Sequence, residues 1–313
     1  MNNRQLFHSD NYPLVTVGLP TRNGERKIAK ALRSVLDQKY ANIEIIISDN
    51  CSTDNTEDIC KTLCRNNPCI KYFRQSRNIG PMSNFEFVLQ QASGDFFMWL
   101  SDDDSLEPDI LHRYVYFLIN NPDYTLVSGA IQYWIGERKI FCERDFNMRE
   151  NSGFIRLLHF YFKVVYGSAF YGLMRKNIAQ QIPLQNRIGD DWHFVATLAY
   201  LGKIKNLDMT GYNKRCGGIS RNFKAYAQAI GAAPVSARHP HAQIACDAFD
   251  NILHDSAVFR QRHNSERMLL ALCAFLSVLI SFYGKQYPFI LGGRLKRWVG
   301  RGTSSVVESP VEL

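Results

Sequence analysis

The chain has 313 residues, 46% hydrophobic and 21% charged, enough to bury a full core, which excludes wholesale disorder. Lysine and arginine number 37 against 29 acidic residues, and the net charge of +8 with a pI near 9.0 points to an anionic partner: nucleotide, phospholipid or nucleic acid. Residues 1–12 are polar, without the apolar centre of a signal peptide, and the eight cysteines lack zinc-site spacing, so they read as reduced thiols of a cytosolic protein.

The first strand candidate is 14–19 (LVTVGL), which runs into the turn cluster Pro20-Thr21-Arg22-Asn23-Gly24. Over 25–38 the apolar residues Ile28, Leu32, Val35 and Leu36 recur at helical spacing. Residues 43–48 (IEIIIS) read as a second buried strand, ending in Asp49-Asn50-Cys51-Ser52-Thr53-Asp54. A helix through Cys64, a strand over 70–74, the turn Asn78-Ile79-Gly80 and a helix over about 83–92 follow. This alternation predicts an α/β fold with a doubly wound, mainly parallel sheet flanked by helices.

The central strand is 96–100, an unbroken apolar run of the kind buried on both faces. It leads straight into Asp102, Asp103 and Asp104, and Pro108 is predicted to fall in the first turn of the next helix. The acids would then lie at a strand's C-terminal edge, where open α/β sheets bind ligands. Three adjacent carboxylates repel one another, and Mg²⁺ or Mn²⁺ beside a diphosphate would relieve that repulsion. The alternative is a solvated acidic turn that caps the helix.

Beyond Pro108 a helix is predicted to Asn121, a strand over 124–134 with a partner over 139–146, an aromatic-rich helix over 152–165 and a strand over 167–174. Gly189-Asp190-Asp191-Trp192 opens a helix reaching Tyr200, and 204–212 is the last strand. From about residue 222 the composition shifts. Residues 268–283 carry no charge, and from Arg267 to Val307 there is no acid but six basic residues. This predicts a helical, basic C-terminal extension over 222–313, behind a body over 1–221. The uncharged stretch is shorter than the ~20 residues of a membrane span. It could be a core helix or, with Phe289, Ile290 and Trp298 among the basic residues, an element lying on an anionic membrane surface.

No P-loop, no GxGxxG after the first strand and no GxSxG elbow occurs, so a nucleotide would be held by another device. Three strand ends offer one: Thr21 and Asn23, Asp49 and Asn50, Arg77 and Asn78. Asp49 could accept a base N–H, and Ser52 or the turn amides could hold ribose or phosphate. Each is also an ordinary loop residue; only their convergence on the triple Asp makes them a candidate site.

The ordered pieces PTRNGE (20–25), SDNCSTDNT (48–56), NIG (78–80), ASGDFFMWLSDDDSLEP (92–108), GDDW (189–192) and YNKRCGGIS (212–220) resemble the family 2 inverting glycosyltransferases of the GT-A fold. The resemblance covers about two-thirds of the chain, 14–220. It implies a nucleotide-binding half over about 12–108 and an acceptor half over about 109–221. It also implies a UDP-, dTDP- or GDP-sugar donor, a saccharide or lipid-linked saccharide acceptor, Mn²⁺ or Mg²⁺, and no nucleic acid. Pro20, Thr21, Asn23, Asp49, Arg77, Asn78 and Asp102 would bind the donor, Asp103 and Asp104 the metal, and Asp191 would be the general base. A carboxylate at a helix N-terminus is held ionised, as a base requires.

Two departures from the family pattern stand out. Ser101 occupies the first position of the usual Asp-x-Asp-Asp, and Arg215 stands where some relatives carry a metal-binding histidine. A guanidinium cannot ligate a cation but suits phosphate, so Arg215 is expected to face the diphosphate. The absence of the processive QxxRW signature argues for a single transfer per encounter. Two rivals are a sugar nucleotidyltransferase, which would need a Gly-rich, lysine-bearing first loop that PTRNGER lacks, and a non-catalytic binding module of the same fold. Location is expected to be cytoplasmic, peripheral on the inner face of the cell membrane.

Overall fold

The computed structural model describes residues 12–284 apart from 145–146, 165–166, 217–222, 233–235 and 237. The first half alternates as expected: β1 (Val15–Thr21), α1 (Ile28–Leu36), β2 (Ile43–Asp49), α2 (Thr56–Asn66), β3 (Ile70–Arg74), α3 (Pro81–Gln90) and β4 (Phe96–Trp99). These four strands pair in parallel in the order β3–β2–β1–β4. Their apolar runs are continuous because both faces are covered. Ile45 and Ile47 point into one buried cluster with α1 and α4 (Ile110–Asn120), while Ile46, Phe97 and Trp99 point into the other with α3.

The second half breaks the parallel pattern. The remaining strands are β5 (Ser105–Leu106), β6 (Tyr124–Ile135), β7 (Arg138–Glu143), β8 (Leu173–Arg175) and β9 (Lys203–Arg215). Strand β8 is antiparallel to both β4 and β6, so it returns β6 to the direction of β4, and β9 runs parallel beside β6. Helices α5 (Gly153–Lys163), α6 (Lys176–Ala179) and α7 (Asp190–Leu201) complete this half. The result is the expected mixed, mainly parallel sheet between helical layers.

Two expectations are corrected. The apolar run over 167–174 is a 3₁₀ turn, Ser168–Tyr171, followed by the short β8, because Gly167 and Gly172 interrupt it. Pro108 does not sit in a helical turn: β5 pairs antiparallel with β9 directly after the acids, and α4 begins only after Asp109, in the left-handed region at φ 61°.

The C-terminal segment adds α8 (Phe223–Ile230), α9 (Pro240–Asp250) and α10 (Asn264–Leu279). Ala245 and Ala248 of α9 and Leu270, Ala271, Ala274 and Val278 of α10 enter the same buried cluster as Trp99, Phe160 of α5 and Phe194 of α7. The inner side of the uncharged stretch is therefore a core helix. The basic residues Arg294, Lys296 and Arg297, with Phe289, Ile290 and Trp298, lie outside the described residues, as do residues 217–220.

Far from the acids, the N-terminal end of β2 is pinned by a buried carboxylate. Glu44 accepts from the Thr16 hydroxyl (2.5 Å), the Lys71 ammonium (2.7 Å), and the Ser93 amide (2.9 Å) and hydroxyl (2.7 Å). Burial alone would raise its pKa, but Lys71, Thr16 and Ser93 together hold it down at about 2. A depressed carboxylate contributes stability above its unfolded value of 4.5, and that contribution is lost as pH falls toward 2. Glu44→Gln is expected to cost roughly 2 kcal/mol near neutral pH. Denaturant titrations at pH 7 and pH 3 check it: the deficit should shrink at the lower pH.

Candidate active site

The loops after β1 and β2 are stitched to one another. The Asn23 amide donates to the Ser52 hydroxyl (2.9 Å), the Gly24 amide to the Thr56 hydroxyl (2.8 Å), and the Thr53 amide to Asn23 Oδ1 (2.9 Å). Two non-glycine residues in these loops, Asn23 (φ 54°) and Cys51 (φ 58°), adopt the left-handed region. Local polar bonding offsets the usual cost of that conformation at Asn23. The third strand end joins through Asn50, whose side-chain amide donates to Asn78 Oδ1 (2.9 Å) and whose Oδ1 accepts from the Ile79 amide (2.8 Å).

Asn186, just before α7, closes the assembly. It donates to the Ile79 carbonyl (3.0 Å) and the Ser83 hydroxyl (2.8 Å) and accepts from the Met82 amide (2.9 Å). Gly80 lies under it at φ 87°, where a Cβ would come within 2.4 Å of the Asn186 amide nitrogen, so only glycine fits. Nothing in the local sequence marked Asn186; its role depends on the fold bringing residues about a hundred apart together.

The three acids divide their labour. Asp102 is turned inward, accepting from the Thr21 hydroxyl (2.6 Å) and the Lys27 ammonium (3.2 Å). Asp104 is buried and points toward β9, accepting from the Tyr212 hydroxyl (3.0 Å) and the Arg215 amide (2.8 Å). Its burial and the neighbouring Asp103 push its pKa up to about 7, against the pull of Lys214. Asp103 is partly exposed and takes no hydrogen bond from another side chain among the described residues. Burial and the charge of Asp102 push its pKa upward too.

That division tests the expected cation. Among the described residues no group of three His, Cys, Asp or Glu side chains is placed to hold a metal ion. One free carboxylate, Asp103, remains at the strand's edge, with its charge under repulsion. This donor set fits Mn²⁺ or Mg²⁺ only in the manner common for Mg²⁺, in which one or two carboxylates hold an ion otherwise bound by phosphate and water. Asp104, expected to share the ion, accepts from the Tyr212 hydroxyl and the Arg215 amide at the end of β9.

Across from the acids, α7 begins at Gly189 in the left-handed region (φ 75°) and offers two carboxylates. Asp190 is buried and locked, accepting from Arg187 (2.5 Å) and the Gln185 amide (2.6 Å). Asp191 is partly exposed and lies against Gly167, whose φ is 70° and where a Cβ would sit 3.2 Å from Asp191 Oδ2. Desolvation pushes Asp191 up to about 6, against the opposing pull of Lys214 and the helix-end amides. Of the two, Asp191 is the carboxylate with capacity to take a proton from something else.

Lys214 lies between the two sets of acids. Its ammonium sits 4.4 Å from the centre of the Tyr171 ring, and Tyr171 packs on Tyr212 at 4.9 Å. Its positive charge draws down the pKa of Asp103, Asp104, Asp191 and Glu143 alike. Burial opposes its own charge, yet Tyr171, Tyr133, Asp104 and Asp191 raise its pKa above the ordinary lysine value. Glu143, on β7, accepts from the Tyr133 hydroxyl (2.8 Å) and is a further carboxylate on this side. Neither Lys214 nor Glu143 carried a sequence signal beyond alternation along a strand.

The other expected site residues are placed as follows. Pro20 is buried in β1 opposite Ser48. Asp49 is fully buried, and its carboxylate accepts from the Ser52 amide (2.8 Å), the Tyr72 hydroxyl (2.8 Å) and Arg74 (2.9 Å), which ties the loop after β2 to β3. Arg77 is exposed; the arginine that meets Asp49 is Arg74, its register partner on β3. The Arg215 guanidinium is exposed and donates to the Gly136 carbonyl (3.3 Å), whereas its neighbour Lys214, like Lys27 on the other side, lies among the acids.

A sequence profile described as glycosyl transferase family 2 matches residues 16–182, more than half of the chain. A GalNAc(5)-diNAcBac-PP-undecaprenol beta-1,3-glucosyltransferase of Campylobacter jejuni is 39% identical over 95 residues, 30% of this chain and 31% of that one. The chain spans less than half the length of such curated relatives. Among solved structures, residues 1–349 of S. aureus TarS in complex with UDP-GlcNAc superpose with a TM-score of 0.60 at 20% identity, covering 86% of this chain and 73% of that one. The mannosyltransferase PcManGT of Pyrobaculum calidifontis, in complex with GDP-Man and Mn²⁺, superposes with a TM-score of 0.54 at 16% identity, over 92% and 81%.

Proposed function

The chain belongs to glycosyl transferase family 2, and from that premise we propose that it moves one sugar per encounter from a nucleotide-sugar donor to a hydroxyl acceptor, with inversion. The observation that carries this reading is the pairing, on each side of Lys214, of one acid that no other side chain engages among the described residues: Asp103 after β4 and Asp191 at the start of α7. The stitched loops after β1, β2 and β3 would hold the nucleoside, with Thr21, Asn23 and Asn78 shaping the pocket. Asp191 would accept the proton of the acceptor hydroxyl as its oxygen bonds to the anomeric carbon. The bond from that carbon to the diphosphate oxygen breaks on the opposite face, and the nucleoside diphosphate departs with the electron pair. A divalent cation held by Asp103 would neutralise charge on the diphosphate. Lys214 supplies a fixed positive charge within the same space, suited to the departing phosphate or to keeping Asp191 ionised.

The acceptor is proposed to be a lipid-linked saccharide of a surface polysaccharide, met at the inner face of the cell membrane. The name of the Campylobacter relative, which acts on an undecaprenol-linked chain, supports that choice. UDP-, dTDP- and GDP-sugars should be screened by thermal shift with and without Mn²⁺, then assayed for transfer. With Asp103 the one carboxylate after β4 that no other side chain engages among the described residues, Mn²⁺ alone should bind weakly, and metal and donor should strengthen one another several-fold. Stabilisation by a donor without any transfer or hydrolysis would turn the reading to a non-catalytic module. No stabilisation by any sugar nucleotide would sink it.

A further inference from the structure

Beyond its polar first turn, residues 264–267, helix α10 and the turn of helix that continues it, Ile280–Gly284, carry apolar residues on every side. A helix apolar all round is ordinarily buried all round, in a core or in lipid. This one is buried on one side only. Leu270, Ala271, Ala274 and Val278 enter the core, whereas Leu269, Leu272, Leu276 and Ile280 are 57%, 46%, 51% and 54% exposed. These four recur at spacings of three and four and form one stripe down the outer face. Helix α5 packs alongside, joined by the Ser281 hydroxyl donating to the Phe162 carbonyl (2.6 Å), and it adds exposed Ile155 and Phe162 to the same surface.

We propose that this outer face of α10 and α5 docks in the plane of an anionic lipid bilayer. Length and composition alone would let residues Asn264–Tyr283 span a membrane. Insertion across the bilayer would, however, tear four residues out of the core, so the helix lies in the interface. Charge selects lipid over a second copy of the chain. Arg260 and Arg262 are exposed just before the stripe, with Glu266 3.9 Å from Arg262, Lys163 is exposed beside Phe162, and in the sequence no acid follows Glu266 until after Val307. Two copies meeting through this face would bring like charges together, whereas an anionic leaflet supplies the opposite charge. The inference is independent of the transfer reaction: a chain inactive on every sugar nucleotide would still bind.

Flotation of the full chain with vesicles of phosphatidylglycerol in phosphatidylcholine, against phosphatidylcholine alone, tests it. Binding to the anionic vesicles is expected, weakened by salt but not abolished, since the apolar part is unscreened. Leu272→Ser with Leu276→Ser removes exposed side chains only, and should lower the partition by roughly tenfold per leucine with an unchanged unfolding midpoint. If that pair disturbs folding, Leu269→Ser with Ile280→Ser probes the same stripe. Truncation before α10 is not an equivalent test, because it empties part of the core. No flotation on anionic vesicles, equal flotation by both paired variants, or a dimer in solution that the variants dissolve would overturn the proposal.

Discussion

Asp191→Asn is expected to lower kcat by roughly 10² or more, the usual scale for loss of a general base, while donor affinity stays within a few-fold. The side chain keeps its size but can no longer take a proton. Because the base must be ionised and its pKa in the fold is about 6, the activity of the unaltered chain should fall as pH drops through about 6. That acidic limb should disappear in the variant. Asp190→Asn separates chemistry from structure: it breaks the buried pair with Arg187 and should act mainly on stability. Rates over pH 5–8, with unfolding curves for both variants, decide the matter. Normal transfer by Asp191→Asn would end its candidacy as base.

Lys214→Met carries the second large expectation, a fall in kcat/KM of roughly 10², comparable to the loss of one preorganised group that stabilises developing charge. The diagnostic readout is the direction in which the pH profile moves. Lys214 draws the pKa of Asp191 down, so its removal leaves desolvation opposed only by the helix-end amides. The acidic limb should therefore shift above about 6, and Lys214→Arg should restore much of it. An unmoved limb with an unchanged kcat/KM would make Lys214 a counter-ion to the fold and nothing more.

The first four strands were readable to within one or two residues, because each is a buried run of β-branched and aromatic residues closed by polar turns. The two-residue β5 was not, since its identity lies wholly in its pairing with Tyr212 and Asn213 on β9. The 3₁₀ turn at Ser168–Tyr171 passed for a strand because Ala169 and Phe170 are as buried as strand residues. Among the candidate site residues, the place of Asp191 at the start of α7 was legible from the glycine turn before it. The outward turn of Arg215 was not, and the reason is register. Which side of a strand faces the acids depends on register, and one step along β9 turns Lys214 inward and Arg215 outward. Asp104 illustrates the same limit, since only the fold reveals that Tyr212 and the Arg215 amide already occupy it.

The burial of α10 against the sheet and its helices also bears on how the protein is made. Trp99, stacked on Phe170 at 4.2 Å and set edge-on to Phe194, belongs to a cluster whose last contributor is Val278. A ribosome adding roughly 5–20 residues per second releases α7 several seconds before that contributor. If the parallel sheet of β1–β4 forms in that interval, it stands beside an open apolar trough. A chaperone would have reason to occupy that trough, and a message truncated within α10 would yield a chain whose first half folds while its second half stays adhesive.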